Sequence, residues 1–110
     1  MNHVQLVRVS PGVFALHGDL NFYSVPGIEG VFENLLSADE AEITIDLGEV
    51  SRSDSAGLAL LVEWWKRAQR RGISLHFSHL PDQLLEIARI SNLLPILPFD
   101  RDKSATPPLQ

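Results

Sequence analysis

The sequence predicts a single α/β domain, with a mixed sheet opened by an N-terminal hairpin and helices mainly on one face. Three observations carry that prediction. Residues 4–10 and Val13–Leu20 read as strands parted only by Ser10-Pro11-Gly12, a turn too short for a crossover, so they pair antiparallel. Two later strands alternate between apolar and polar residues, which strands buried on both faces do not do. Between and after those strands lie stretches with helical spacing, giving the order ββαβαβα.

After the hairpin, Asn21 to Ser24 lead into a helix whose Val25, Ile28, Phe32, Leu35 and Leu36 share one face. Pro26 suits a first helical turn, where no amide partner is needed. Gly27 and Gly30 work against the helix, at about 1 kcal/mol each relative to alanine. The third strand, residues 42–47, points Ile43, Ile45 and Leu47 one way and Thr44 and Asp46 the other. The strongest helix follows over 56–71, with Asp54 or Ser55 placed to cap its start and Gly72 to end it. Ser74–Ser78 again alternates, Leu75 and Phe77 against Ser74, His76 and Ser78. A last helix begins near Pro81-Asp82, uses Leu84, Leu85, Ile87, Ala88 and Ile90, and fades at Ser91-Asn92. Residues 93–99 form an irregular apolar edge with two prolines. The domain so drawn spans residues 1–99, and 100–110 have the composition of a disordered tail.

Composition removes several functions. Hydrophobic residues at 45% and charged residues at 21% describe a globular chain. A net charge of −5, with nine basic residues that form no stripe, gives nucleic acid no positive footprint to bind. The absence of cysteine excludes disulfides, a thiolate nucleophile and a Cys-built zinc site. The N-terminus lacks the basic and then apolar run of a signal peptide, and no apolar run reaches the ~20 residues a bilayer requires. The expectation is a soluble cytoplasmic protein. No Gly-rich phosphate loop is present, which together with the alternating strands argues against a nucleotide-binding sheet.

The informative segment is Ser51-Arg52-Ser53-Asp54-Ser55-Ala56-Gly57-Leu58, read as a loop between a strand end and a helix start. Free N–H groups and the positive dipole end at a helix start favour carboxylates and phosphates. A serine there serves either as a simple cap or as a position where a phosphate gains hydrogen bonds from those amides.

Asp54-Ser55-Ala56-Gly57-Leu58, after an apolar strand and before an apolar helix, resembles the signature loop of STAS domains. That family includes anti-sigma factor antagonists and the tails of sulfate transporters. The longer run Leu47-Gly48-Glu49-Val50-Ser51-Arg52-Ser53-Asp54-Ser55-Ala56-Gly57-Leu58-Ala59-Leu60-Leu61 is similar to one branch, the MlaB-like subunits of Mla phospholipid transporters. The stretch Leu20-Asn21-Phe22-Tyr23-Ser24-Val25-Pro26 is similar too, and the resemblance covers about residues 4–98. It implies a non-enzymatic accessory subunit that binds and regulates or stabilises the cytosolic ATPase of an ABC-type phospholipid transporter. Such a transporter maintains outer-membrane lipid asymmetry, and the subunit lies at the inner membrane only through the complex. The resemblance leaves open an alternative, an anti-sigma factor antagonist switched by phosphorylation of Ser55. Ala56 stands where antagonists often carry a second serine, which favours the transporter branch.

On a helical wheel, Leu58, Leu61, Val62, Trp65 and Ala68 form the stripe expected to face the sheet. Glu63, Lys66, Arg67 and Arg70 form the wet side. Leu60 and Trp64 fall at the margin as an i, i+4 pair, either part of a wide core face or an exposed apolar ridge. The expected partner-binding residues are therefore Arg52, Asp54, Ser55, Leu60 and Trp64. His76 and His79 sit on a strand and turn that do not bring ligands together, with His3 and His17 apart, so no metal site is expected. Asp39-Glu40 reads as a solvated turn, and Asp82 as a first-turn charge. Ser55 lacks the Gly-x-Ser-x-Gly elbow of a hydrolase. Neither catalytic residues nor a cofactor nor a small-molecule substrate is expected.

Overall fold

The computed structural model describes residues 4–36 and 41–93. Four strands, β1 (Gln5–Ser10), β2 (Val13–Leu20), β3 (Glu42–Ser53) and β4 (Ser74–Ser78), form one sheet in the order β1-β2-β3-β4. The hairpin pairs β1 with β2 antiparallel, from Gln5 opposite His17 to Ser10 opposite Val13. β2 and β3 run parallel, as do β3 and β4, so each junction needs a crossover. The first crossover carries α1 (Val25–Ile28), a 3₁₀ turn at Glu29–Val31 and α2 (Phe32–Leu36). The second is α3 (Ser55–Arg70), and α4 (Asp82–Ile90) follows β4.

The strand alternation puts the core on one side of the sheet. Ile43, Ile45, Leu47, Leu75 and Phe77 are buried, while Ser74 and His76 on the other face are exposed and Thr44 and Asp46 half-buried. Phe32, Leu36, Leu58, Leu61, Trp64, Ala68, Leu84 and Ala88 from the helices join the same cluster. Burying a side chain of this size stabilises by about 1.5–3 kcal/mol, so the apolar face holds the layers together. The mixed, one-sided α/β architecture expected from the pattern is the one observed.

Both long helices end on matching chemistry. Gly72 takes φ +70°, its N–H donates to the Gln69 carbonyl, and that of Ile73 donates to Ala68. Asn92 takes φ +61°, its N–H donates to the Arg89 carbonyl, and that of Leu93 donates to Ala88. These are paired Schellman closures, with Ile73 buried and Leu93 packed against the core to seal each end.

Three local expectations need correction. The first helix is broken: Ile28, Phe32 and Leu36 are buried as its spacing demands, but a 3₁₀ turn separates α1 from α2. Of the two glycines expected to weaken it, Gly30 lies in that turn and Gly27 within α1. The third strand does not end at Leu47 but pairs with β2 as far as Ser53. Register shifts against β2 change the burial period there, so Leu47, Val50 and Ser53 are the buried residues and alternation disappears. The buried stripe of α3 is Gly57, Leu58, Leu60, Leu61, Trp64 and Ala68, with Val62 and Trp65 only half-buried. The turn at Asp39-Glu40, His3, the apolar residues 94–99 and the tail 100–110 lie outside the described residues. Among the described residues, no helix is long and apolar enough to cross a membrane.

Candidate partner-docking surface

The carboxyl ends of β2 and β3 meet where Leu20 pairs with Ser53; β3 leads through Asp54 into α3, and β2 through the turn at 21–24 into α1. Crevices outside the carboxyl ends of parallel strands are the usual binding places of α/β sheets.

Asp54 is the cap of α3. Its backbone is extended, and its Oδ1 accepts from the Ala56 N–H at 2.8 Å. The Asp54 N–H donates to the Leu20 carbonyl at 3.1 Å, and the Gly57 N–H donates to the Asp54 carbonyl at 3.0 Å. Ser53, one residue earlier, is buried, and its N–H donates to Gln83 Oε1 of α4 at 2.9 Å. At Gly57 the helix lies close against the sheet. A Cβ there would collide with Ser53 Oγ and lie 2.9 Å from Leu20 Cβ. The glycine of the Asp-Ser-Ala-Gly run is thus demanded by close approach.

Ser55 is the first residue of α3 and is exposed, as are Asp54 and Arg52. Among the described residues, no side chain is bonded to the Ser55 hydroxyl. Two of the amides expected to be open at this helix start are already engaged, both by Asp54. A group arriving at Ser55 therefore meets a hydroxyl beside a carboxylate, not a bare anion cradle.

Hollows lie on either side of this point. One, of about 420 Å³, is bounded by Asp19, Asn21, Arg52, Ser53, Asp54 and Gln83. The other, a groove of about 540 Å³ between α1 and α3, has Val25 and Pro26 on one wall and Ser55, Ala56, Ala59 and Leu60 on the other. Phe22 stands at one end of it, and Glu29 and Glu63 line it as well. Arg67 ties this region to α2, with Nη1 2.9 Å from Glu33, Nε 3.1 Å from Glu63 and Nη2 3.8 Å from Glu29. The hydrogen bond to Glu63, foremost, and those charges hold the Arg67 guanidinium more firmly protonated than usual. Arg67, expected on the wet side, is in fact a clamp across two helices.

Of the five expected binding residues, the structure brings Arg52, Asp54 and Ser55 together at the surface and removes Trp64. Trp64 has no exposed surface, its ring stacks on Phe32 with centroids 4.7 Å apart and planes 10° apart, and its Nε1 donates to the Glu29 carbonyl at 3.2 Å. It is a core residue that fixes the 3₁₀ turn. The exposed-ridge alternative fails because α1 and α2 cover the flank of α3 that a wheel alone leaves open. Leu60 is also buried, though it reaches the groove wall.

Phe22 and Tyr23, which the sequence marks only through the family resemblance, are 76% and 82% exposed. Two adjacent aromatics in a polar turn ahead of a helix were the available signal. The histidines do not converge: His76 is bonded to Ser74 and His79 to Asp46. Among the described residues, no group of three or more potential metal ligands gathers. Asp82 lies in the first turn of α4.

Comparison with known proteins follows the same lines. The family profile described as "Mlab, STAS domain" matches residues 5–98. The anti-sigma-B factor antagonist of Bacillus subtilis (strain 168) is 32% identical over 82 residues, 73% of this chain and 72% of that protein. An anti-sigma factor antagonist from Mycobacterium paratuberculosis superposes with a TM-score of 0.73 at 16% identity, over 87% of this chain and 84% of the other. An anti-sigma-factor antagonist (STAS) domain protein from Planctomyces limnophilus gives 0.70 at 18% identity, over 94% and 93%. At such identities the structures speak for the fold, while the profile and the Bacillus relative speak for descent. With a match running from the first strand past the last helix, this chain belongs to the STAS domain family.

Proposed function

We propose that this chain is a non-enzymatic regulatory module that docks a protein partner on the surface around Ser55. The observation that carries this is the start of α3. A capped, closely packed helix end holds an exposed serine, its hydroxyl bonded to no side chain among the described residues, between two hollows. Such a surface presents a fixed shape at little ordering cost, which is what a binding module requires.

The relatives favour the antagonist class for the finer role, since the Bacillus relative and the similar structures bear that name. On that reading the partner is an anti-sigma factor with kinase activity, and Ser55 is its phosphorylation target. A phosphate on Ser55 adds bulk and roughly −2 charge beside the Asp54 carboxylate, so a partner packed closely there is displaced. A second reading is an accessory subunit on the ATPase of an ABC-type phospholipid transporter. It is favoured by the Mlab description of the matching profile and by Ala56 in place of a second serine.

Both readings use the same surface, and one variant tests it. Ser55→Arg places an unpaired charge at an exposed helix start, so the free domain keeps its melting temperature, as surface changes usually cost within about 0.5 kcal/mol. Docking then buries that charge, at roughly 3–5 kcal/mol. Pull-downs with purified anti-sigma factor and with purified transporter ATPase should show one of them bound by the native chain and lost by Ser55→Arg. Undiminished capture by Ser55→Arg would show that the partner docks elsewhere.

A further inference from the structure

Phe22 and Tyr23 are the most exposed large apolar side chains among the described residues, at 76% and 82%. Their exposure does not come from a loose loop. Asn21 Oδ1 accepts from the Tyr23 N–H at 2.8 Å and from the Ser24 N–H at 3.0 Å. The Ser24 hydroxyl, itself buried, donates to the Asp19 carbonyl at 2.7 Å and accepts from the Asn21 N–H at 2.9 Å. The backbone under both rings is thus pinned, and the rings stand edge to face with centroids 5.9 Å apart. A pair of aromatics held this way loses little freedom when covered, and rings of this kind dominate interface energetics.

The neighbouring ground is shaped for a visitor. Phe22 forms one end of the α1–α3 groove, whose Val25, Pro26, Ala56 and Ala59 offer apolar or small surfaces. Beyond Pro26, Gly27 and Gly30 have nothing within 4 Å of where a Cβ would stand, so no side chain rises over the turn. The charge around this ground leans acidic. Asp19, Glu29, Asp54 and Glu63 border the two hollows, against Arg52 and the clamp Arg67. Glu29 and Glu63 keep side-chain exposures of 49% and 39% despite their contacts with Arg67.

We infer that Phe22, Tyr23 and the α1–α3 groove form the second half of the docking surface, and that it receives a protein segment carrying an apolar anchor flanked by arginine or lysine. The inference rests on the Ser55-centred reading above, and adds where the partner's affinity comes from and what its chemistry is. An apolar side chain fills the groove against Phe22, and its basic neighbours meet the acidic border, which also speeds encounter. A second copy of this chain, acidic overall at −5, fits that border poorly.

The test pans a displayed library of random short peptides against the full chain, then measures the selected peptides by fluorescence anisotropy. The expected consensus is an aromatic or leucine anchor beside arginine or lysine. Phe22→Ala and Tyr23→Ala should each weaken those peptides by about 30-fold or more while leaving the melting temperature unchanged. Paired Asp19→Asn and Glu29→Gln changes should lower the salt dependence. An acidic or purely polar consensus, no enrichment, or peptides indifferent to both aromatics would overturn the inference. So would a dimer in sedimentation that Phe22→Ala dissolves, since the surface would then belong to a second copy. The two readings separate on the partner itself. Loss with Ser55→Arg but not with the aromatic variants sinks this inference alone, and the reverse pattern sinks the helix-start reading while the aromatic surface stands.

Discussion

The starts of α1 and α3 sit side by side at the carboxyl ends of neighbouring parallel strands, yet they are built on opposite plans. At α3 the chain is locked by an aspartate cap, by a glycine wedged against Leu20 and Ser53, and by the Gln83 bond from α4. The helix then runs for 16 residues without interruption. At α1 the turn is pinned by Asn21 and Ser24, but its two aromatics project outward and the helix lasts only 4 residues before a 3₁₀ turn. A Cβ at Gly27, or at Gly30 in that turn, would meet nothing within 4 Å. One start is held by contact with the fold, whereas the other is held locally and keeps its outer side uncovered. A docking surface benefits from both, a fixed platform and an apolar edge that still has area to bury.

The largest effect is expected where the two regions meet. Trp64 joins them through its stack on Phe32 and its bond to the Glu29 carbonyl. Trp64→Ala should cost about 3–5 kcal/mol, seen as a large fall in melting temperature, with partner binding reduced only as the fold is lost. A variant that melts normally and yet fails to bind would return Trp64 to the interface and break the comparison.

Next in size is the wedge. Gly57→Ala brings a methyl group into Ser53 Oγ and Leu20, and should destabilise by about 1–3 kcal/mol in a denaturant titration. Opening room with Ser53→Gly in the same chain should recover part of that loss, which locates the strain at this contact. A neutral Gly57→Ala would mean that the start of α3 is as free as that of α1.

The smallest effect has the opposite sign. Gly27 lies in α1, without a positive φ and with nothing near its absent side chain. Gly27→Ala should therefore stabilise by about 0.4–1 kcal/mol, largely by restricting the unfolded chain. Destabilisation on the same titration would show that this glycine is needed by the free fold, and that α1 is less open than its surroundings imply.

Set beside one another, these regions show what local pattern encodes. The hairpin, the one-sided strands, the long helix with its aspartate cap and the Gly72 closure are all written in neighbouring residues, because each depends on propensity, capping and a short repeat. The family resemblance lies in the same local run, from Leu47 to Leu61. Asp54 and Ser55 were legible as exposed positions for that reason, since they are the cap and first residue of α3, while Arg52 is exposed near the end of β3. What the sequence could not decide was how much of α3 is covered. A wheel places Leu60 and Trp64 at the edge of the stripe, but only the packing of α1 and α2 makes that edge interior. The run from Gly48 to Ser53 hid its strand because register shifts against β2 change the burial phase, and those belong to the pair of strands. Phe22 and Tyr23 were missed for the converse reason. Aromatic residues are ordinarily taken as core, and only the assembled fold shows that no element among the described residues covers these two.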